Sequence, residues 1–335
     1  MNGNSIFFFV QGGFTHRGQG LHLSFSMANP KVTVVGAGFV GATTAQRLVE
    51  KELADVVLID VVEGMPQGKA LDMMESAPVE GFHTRITGTN DYADTKNSDV
   101  IVITAGLARK PGMSRDDLLL KNAEIVGSIV DQCAQHSPRA IIITVTNPLD
   151  VMTYLAWKKS GFPSSRVIGM AGVLDSARYA YFLSEELLCN PSDVEALVFG
   201  GHGDEMVPVP QLTTVKGRPI TELLDGEVIE KINQRARVGG AEIVGLLKTG
   251  SAYYAPSSSV VRMVKAIVQN TAEVMPCCVY MNGQYGIKDV YCGVPVRIGR
   301  EGVLEIPEYK LTDEQKKALV VSAEQVKENC AKIKL

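Results

Sequence analysis

The chain has 335 residues, enough for two domains of ordinary size, with 45% hydrophobic and 21% charged residues and a net charge of -4. Its 33 basic residues are spread out, which excludes the electrostatic footprint of a nucleic-acid binder, and no apolar run approaches the roughly 18 residues of a membrane span. The six cysteines, at 133, 189, 277, 278, 292 and 330, form no C-x-x-C pair, so they suit neither a disulfide framework nor a zinc site and read as reduced thiols of a cytoplasmic protein.

Residues 1–27 hold five of the ten phenylalanines and a single charge, Arg17. Neither a secretory signal nor a mitochondrial leader fits that composition. This stretch is expected to be a disordered N-terminal extension outside the fold.

From Lys31 the pattern alternates. Strands are expected over 31–36, 56–60, 83–87, 99–105, 140–146 and 166–169, with helices near 39–52, 67–76, 114–136 and 149–160. Ser114 with Asp117 has capping-box spacing and would start the third helix. Such alternation predicts an α/β fold, a Rossmann-type doubly wound parallel sheet with helices on both faces. After about residue 172 the pattern becomes mixed. A helix at 174–189 precedes a strand at 194–199, long helices near 226–249 and 256–270, strands at 275–281 and 294–300, and a closing helix from Thr312, capped by Gln315. The expected organisation is a dinucleotide-binding domain over 28–172 followed by an α+β catalytic domain over 173–335.

The first strand breaks into Gly36-Ala-Gly-Phe-Val-Gly41 and then a helix. Each glycine has its own task there: a tight turn, close approach to a pyrophosphate, and close packing of helix on strand. The helix start offers free N–H groups and the positive end of its dipole to phosphates. The second strand, Val56-Val-Leu-Ile-Asp60, ends in an acid at the place of a carboxylate that grips an adenosine ribose.

Of five histidines, at 16, 22, 83, 136 and 202, no two have metal-ligand spacing, and no metal site is expected. His83 and His136 read as surface residues. His202 stands just past a buried strand in Val198-Phe-Gly-Gly-His-Gly-Asp204, between glycines that let a ligand come close. In Gly172-Val-Leu-Asp-Ser-Ala-Arg178, Asp175 and Arg178 share one face at a helix start.

These segments together resemble the lactate/malate dehydrogenase family. Arg109-Lys-Pro-Gly-Met-Ser-Arg115 and Thr146-Asn-Pro-Leu-Asp150 belong to the same pattern, and the motifs keep the family's order. Residues 200–206 look like the lactate-dehydrogenase-like, NAD-dependent malate branch rather than the mitochondrial type. The resemblance implies reversible hydride transfer between (S)-malate and NAD, giving oxaloacetate and NADH. In it His202 moves the hydroxyl proton and Asp175 holds the imidazole. Arg178 grips the C1 carboxylate, Arg115 polarises the carbonyl from a mobile loop, and Asn147 meets both substrate and cofactor across a cis bond to Pro148. Gly36, Ala37, Gly38, Phe39, Val40, Gly41, Asp60, Asn122, Val145 and Asn147 are the implied NAD contacts. A homotetramer is the implied assembly, with a homodimer as the alternative.

Substrate choice falls to Arg109, where the lactate branch typically has glutamine. A second guanidinium balances the extra charge of a dicarboxylate in a closed, poorly hydrated site. Ala252, where lactate enzymes usually have threonine, is consistent with that choice. A lactate or other 2-hydroxyacid dehydrogenase is the alternative activity, and a non-catalytic dinucleotide-binding module the alternative class.

Overall fold

Four consecutive β-branched residues, Val32 to Val35, are each at most 2% exposed. They form the central strand β1 (Lys31–Val35) of the computed structural model, which describes residues 29–108, 112–203 and 205–334. The expectations for residues 1–27 and for Arg109 fall outside the described residues.

A strand covered on both faces is an unbroken apolar run, and Val56–Ile59, Val100–Ile103 and Ile141–Thr144 repeat that composition. β2 (Asp55–Ile59) and β3 (Ile86–Thr89) lie to one side of β1. On the other side lie β4 (Val100–Ile103), β5 (Ile141–Thr144) and β6 (Val167–Gly169), and all six strands are parallel. The crossovers are helices α1 (Phe39–Glu50), α2 (Met65–Glu80), α3 (Arg115–His136) and α4 (Leu149–Ser160). The Ser114–Asp117 capping box starts α3 as its spacing predicts. The third strand begins later than the sequence suggested. The His83 N–H donates to Glu52, and the Thr84 hydroxyl to the Val49 carbonyl, so these residues tie to the end of α1 instead of joining the ladder.

The second half opens with α5 (Gly172–Leu187). The single strand expected at 194–199 is two. β7 (Val194–Glu195) joins a small sheet with β10 (Thr214–Val215) and β11 (Arg218–Pro219). β8 (Val198–Gly200) instead forms a ribbon with β9 (Met206–Pro208). Helices α6 (Gly226–Leu247) and α7 (Tyr254–Val268) follow. Then β12 (Glu273–Asn282), β13 (Lys288–Gly299) and β14 (Gly302–Glu305) run antiparallel, before α8 (Asp313–Cys330) with its Thr312–Gln315 capping box.

These last strands do more than pack on the first half. β12 pairs antiparallel with β6 at Cys278 and Gly169, so the parallel sheet continues into them. The whole sheet has nine strands in the order β14-β13-β12-β6-β5-β4-β1-β2-β3. Among the described residues no helix is long and apolar enough to cross a membrane.

β13 also presses on β8 from behind. A Cβ at Gly293 would stand 2.2 Å from the Gly200 carbonyl oxygen, so only glycine admits this approach. Gly293→Ala is expected to cost about 1–3 kcal/mol or more from overpacking, read as a lower urea midpoint at unchanged slope. A midpoint equal to that of the unaltered chain would show that β8 yields freely.

Candidate active site

At the carboxyl end of β1, Gly36 turns with φ +102°, and a Cβ on Gly41 would fall 1.8 Å from the Gly36 carbonyl. Helix and strand can meet this closely only through glycine. Nothing lies within 4 Å of a Cβ placed on Gly38, so the loop's outer side is open. Gly38 is the N-cap of α1 and supplies no side-chain cap, which leaves the helix's first N–H groups for a ligand. Asp60, at the end of β2, accepts from the Ala37 N–H at 2.7 Å and the Val62 N–H at 3.0 Å. Phe39 is exposed and stacks on Tyr253 with centroids 5.1 Å apart, and Val61 is exposed beside Asp60. The Val40 carbonyl accepts from the Ser257 and Thr44 hydroxyls. An open glycine turn, orphan N–H groups and a carboxylate fixed beside the turn fit a dinucleotide.

Deeper along the sheet edge, fully buried Asn122 on α3 crosslinks two loops. Its Oδ1 accepts from the Leu107 N–H at 2.8 Å, and its Nδ2 donates to the Asn147 carbonyl at 2.7 Å. The Asn147–Pro148 bond is cis, and Asn147 itself is exposed. Half-buried Val145 follows β5, its N–H donating to the Ile103 carbonyl.

The titratable centre lies where α5 meets the loop after β8. His202 Nδ1 is 2.9 Å from Asp175 Oδ2, and Arg178 Nη1 is 3.5 Å from Asp175 Oδ1. The Asp175 side chain is 2% exposed, those of Arg178 and His202 only 13% and 19%. Burial opposes a charge on His202, but the carboxylate of Asp175 outweighs it and the imidazole pKa is raised. Burial also lowers the Arg178 pKa, against the pull of Asp175. The Arg178 Nε is buried without an acceptor, and Gly239 and Gly240 of α6 leave room beside this side chain. A buried cation with an idle donor is suited to a carboxylate ligand.

The structure therefore brings His202, Asp175 and Arg178 together, Asn122 and Asn147 together, and Asp60 to the glycine turn. Arg115 is exposed at the first residue of α3. Arg109 lies outside the described residues, and no position for it enters this geometry.

Two supports of the histidine loop escaped sequence reasoning. The His202 N–H donates to Asp150 Oδ2 at 3.2 Å, and the Gly201 N–H to the Ser322 hydroxyl of α8 at 2.7 Å. Asp150 is buried, which raises its pKa despite hydrogen bonds from Cys278 and the His202 N–H. Its place in the Asn147-Pro-Leu-Asp150 segment was the available signal. Ser322 offers none, because it lies 121 residues beyond its partner.

Residues 30–169 match the lactate/malate dehydrogenase NAD binding domain, and residues 172–334 match the lactate/malate dehydrogenase alpha/beta C-terminal domain. The malate dehydrogenase of Chloroherpeton thalassium is 59% identical over 304 residues, covering 90% of this chain and 98% of that protein. The solved malate dehydrogenase of Salinibacter ruber superposes with a TM-score of 0.87 at 50% identity, over 90% of this chain and 97% of that one. A lactate dehydrogenase from Cryptosporidium parvum, solved with lactic acid and nicotinamide adenine dinucleotide, has a TM-score of 0.88 at 41% identity, over 91% and 98%.

Because its folded pKa is raised, His202 contributes stability that is fully present below about pH 6.5 and fades as pH climbs through the folded value. Histidine NMR is expected to give a midpoint for His202 above about 6.5, lowered by Asp175→Asn. A midpoint indifferent to that substitution would remove Asp175 as the cause.

Proposed function

Because the chain belongs to the lactate/malate dehydrogenase family, we propose that it interconverts (S)-malate and oxaloacetate with NAD. The observation that carries the chemistry is the buried His202–Asp175 contact beside an Arg178 with an idle donor. Bound NAD would supply the acceptor for the hydride of malate C2. His202 does the rest of the acid–base work. With Nδ1 held by Asp175, Nε2 is the nitrogen free to take the hydroxyl proton, and the carboxylate steadies the imidazolium that results. In the reverse direction the same nitrogen returns the proton.

Arg178 holds the C1 carboxylate through two parallel hydrogen bonds, a geometry that lysine cannot supply. Arg115, at the first residue of α3, polarises the C2 carbonyl once the site closes and water leaves. Asn147 touches the substrate oxygen and cofactor, Val145 lines the cofactor's path, and buried Asn122 serves the cofactor by holding the Leu107 and Asn147 backbone in place. Gly36 to Gly41 cradle the pyrophosphate and Asp60 takes the ribose hydroxyls. Cofactor binding falls to residues 28–172, while His202, Asp175 and Arg178 come from residues 173–335, with Arg109, Arg115 and Asn147 meeting the substrate from the first domain. Exposed Val238, Val244, Leu246 and Leu247 along α6 suit a homo-oligomer, read as a tetramer with a dimer next. All six cysteines are free thiols, which suits the cytoplasm.

The lactate reading is separated by Arg109. A guanidinium at that position would pair with the distal carboxylate, and pyruvate would leave it unpaired at about 3–5 kcal/mol. That corresponds to a preference for oxaloacetate of roughly 10²–10³ or more. Arg109→Gln should collapse activity on oxaloacetate and raise activity on pyruvate, so the ratio of the two kcat/KM values is the quantity to measure. An unmoved ratio assigns substrate reading to another residue. His202→Asn should leave NADH binding almost intact while turnover falls by roughly 10²–10⁴. Turnover preserved within a few-fold would place the proton on another group.

A further inference from the structure

Ala37, the middle residue of the first Gly-x-Gly, is held from two sides. Its N–H donates to Asp60 Oδ2, and its carbonyl accepts from Lys69 Nζ at 2.6 Å. Lys69 comes from α2, and the root of that helix is fixed. A Cβ at Gly88 of β3 would lie 2.1 Å from the Pro66 carbonyl, so backbone meets backbone there. Gln67 donates to Asn90 at 2.6 Å, and Asn90 Nδ2 reaches the Asp60 carbonyl at 2.7 Å and that of Val62 at 3.1 Å. The lysine therefore extends to the glycine turn from a platform tied to the same Asp60 turn.

We propose that Lys69 is a cofactor-positioning residue that sets the aim of the Gly38 N–H. In a trans peptide the carbonyl of one residue and the N–H of the next point in opposite directions. Holding the Ala37 carbonyl toward α2 turns the Gly38 N–H the other way, to the open side of the loop. A glycine turn alone would not fix that plane, because Gly38 is free to rotate. Lys69 supplies the constraint, and one face of α2 thereby becomes part of the cofactor site. The inference rests on reading this turn as the NAD pyrophosphate cradle.

The test is NADH titration of the whole protein by intrinsic fluorescence, without second substrate, for the unaltered chain, Lys69→Met, Lys69→Gln and Lys69→Arg. Lys69→Met should weaken NADH about tenfold, because a misaimed Gly38 N–H forfeits roughly one hydrogen bond to the charged pyrophosphate, and Lys69→Gln should fall between. Lys69→Arg, which still reaches a carbonyl with charge, should recover most of the affinity. The apo melting temperature should fall by no more than about 2–4 °C, the cost of one internal hydrogen bond, and the KM for oxaloacetate at saturating NADH should stay put. Lys69→Met binding NADH within about twofold of the unaltered chain would overturn the proposal. So would a loss of apo stability parallel to the loss of affinity, since Lys69 would then hold the fold and not the cradle. No NADH binding by the unaltered chain would instead overturn the reading of the turn as an NAD site.

Discussion

The hydrogen bond between His202 Nδ1 and Asp175 Oδ2 joins residues 27 apart in the chain, and much of the second half exists to make it short. Asp175 is placed by the first turn of α5, directly after the last parallel strand. His202 is delivered by β8, which β13 can back closely only because Gly293 has no side chain. Two successive N–H groups of its loop are then anchored, one on α8 and one on α4. Five elements from distant parts of the chain thus converge on one imidazole. In that poorly hydrated place the carboxylate outweighs the burial penalty and keeps the imidazole ready to carry a proton.

The cofactor end obeys a different constraint. There the backbone provides the chemistry, and the task of the side chains is to hold it open and aimed. Gly36 and Gly41 give up side chains to contact, Gly38 to space. Asp60 and Lys69 grip opposite atoms of the residue between them. Asn122 performs a comparable service deeper in the cleft, joining the loop after β4 to the carbonyl of Asn147.

What could be read from the sequence follows the range of each signal. Buried parallel strands are short runs rich in β-branched residues, so β1, β2, β4 and β5 were visible in Val32–Val35, Val56–Ile59, Val100–Ile103 and Ile141–Thr144. Both capping boxes were equally local. The continuation of the sheet through Gly169 and Cys278 was not visible, because local alternation is silent on which edge a later strand joins. Residues 194–199 looked like one strand because nothing in the apolar pattern marks the change of sheet between Glu195 and Val198. At the site, Asp175, Arg178 and His202 came from the resemblance of their segments to a family. Spacing alone offered only an ion pair and a histidine between glycines. Lys69 carries no local signal, because its partner Ala37 stands in another element, and Asp150 is marked only by its place in the Asn147–Asp150 segment.

The measurement that tests this account most directly is NADH oxidation by the purified chain against a panel of 2-keto acids. The account predicts rapid oxidation with oxaloacetate and very little with pyruvate. Equal turnover of the two, or none with either, would contradict it.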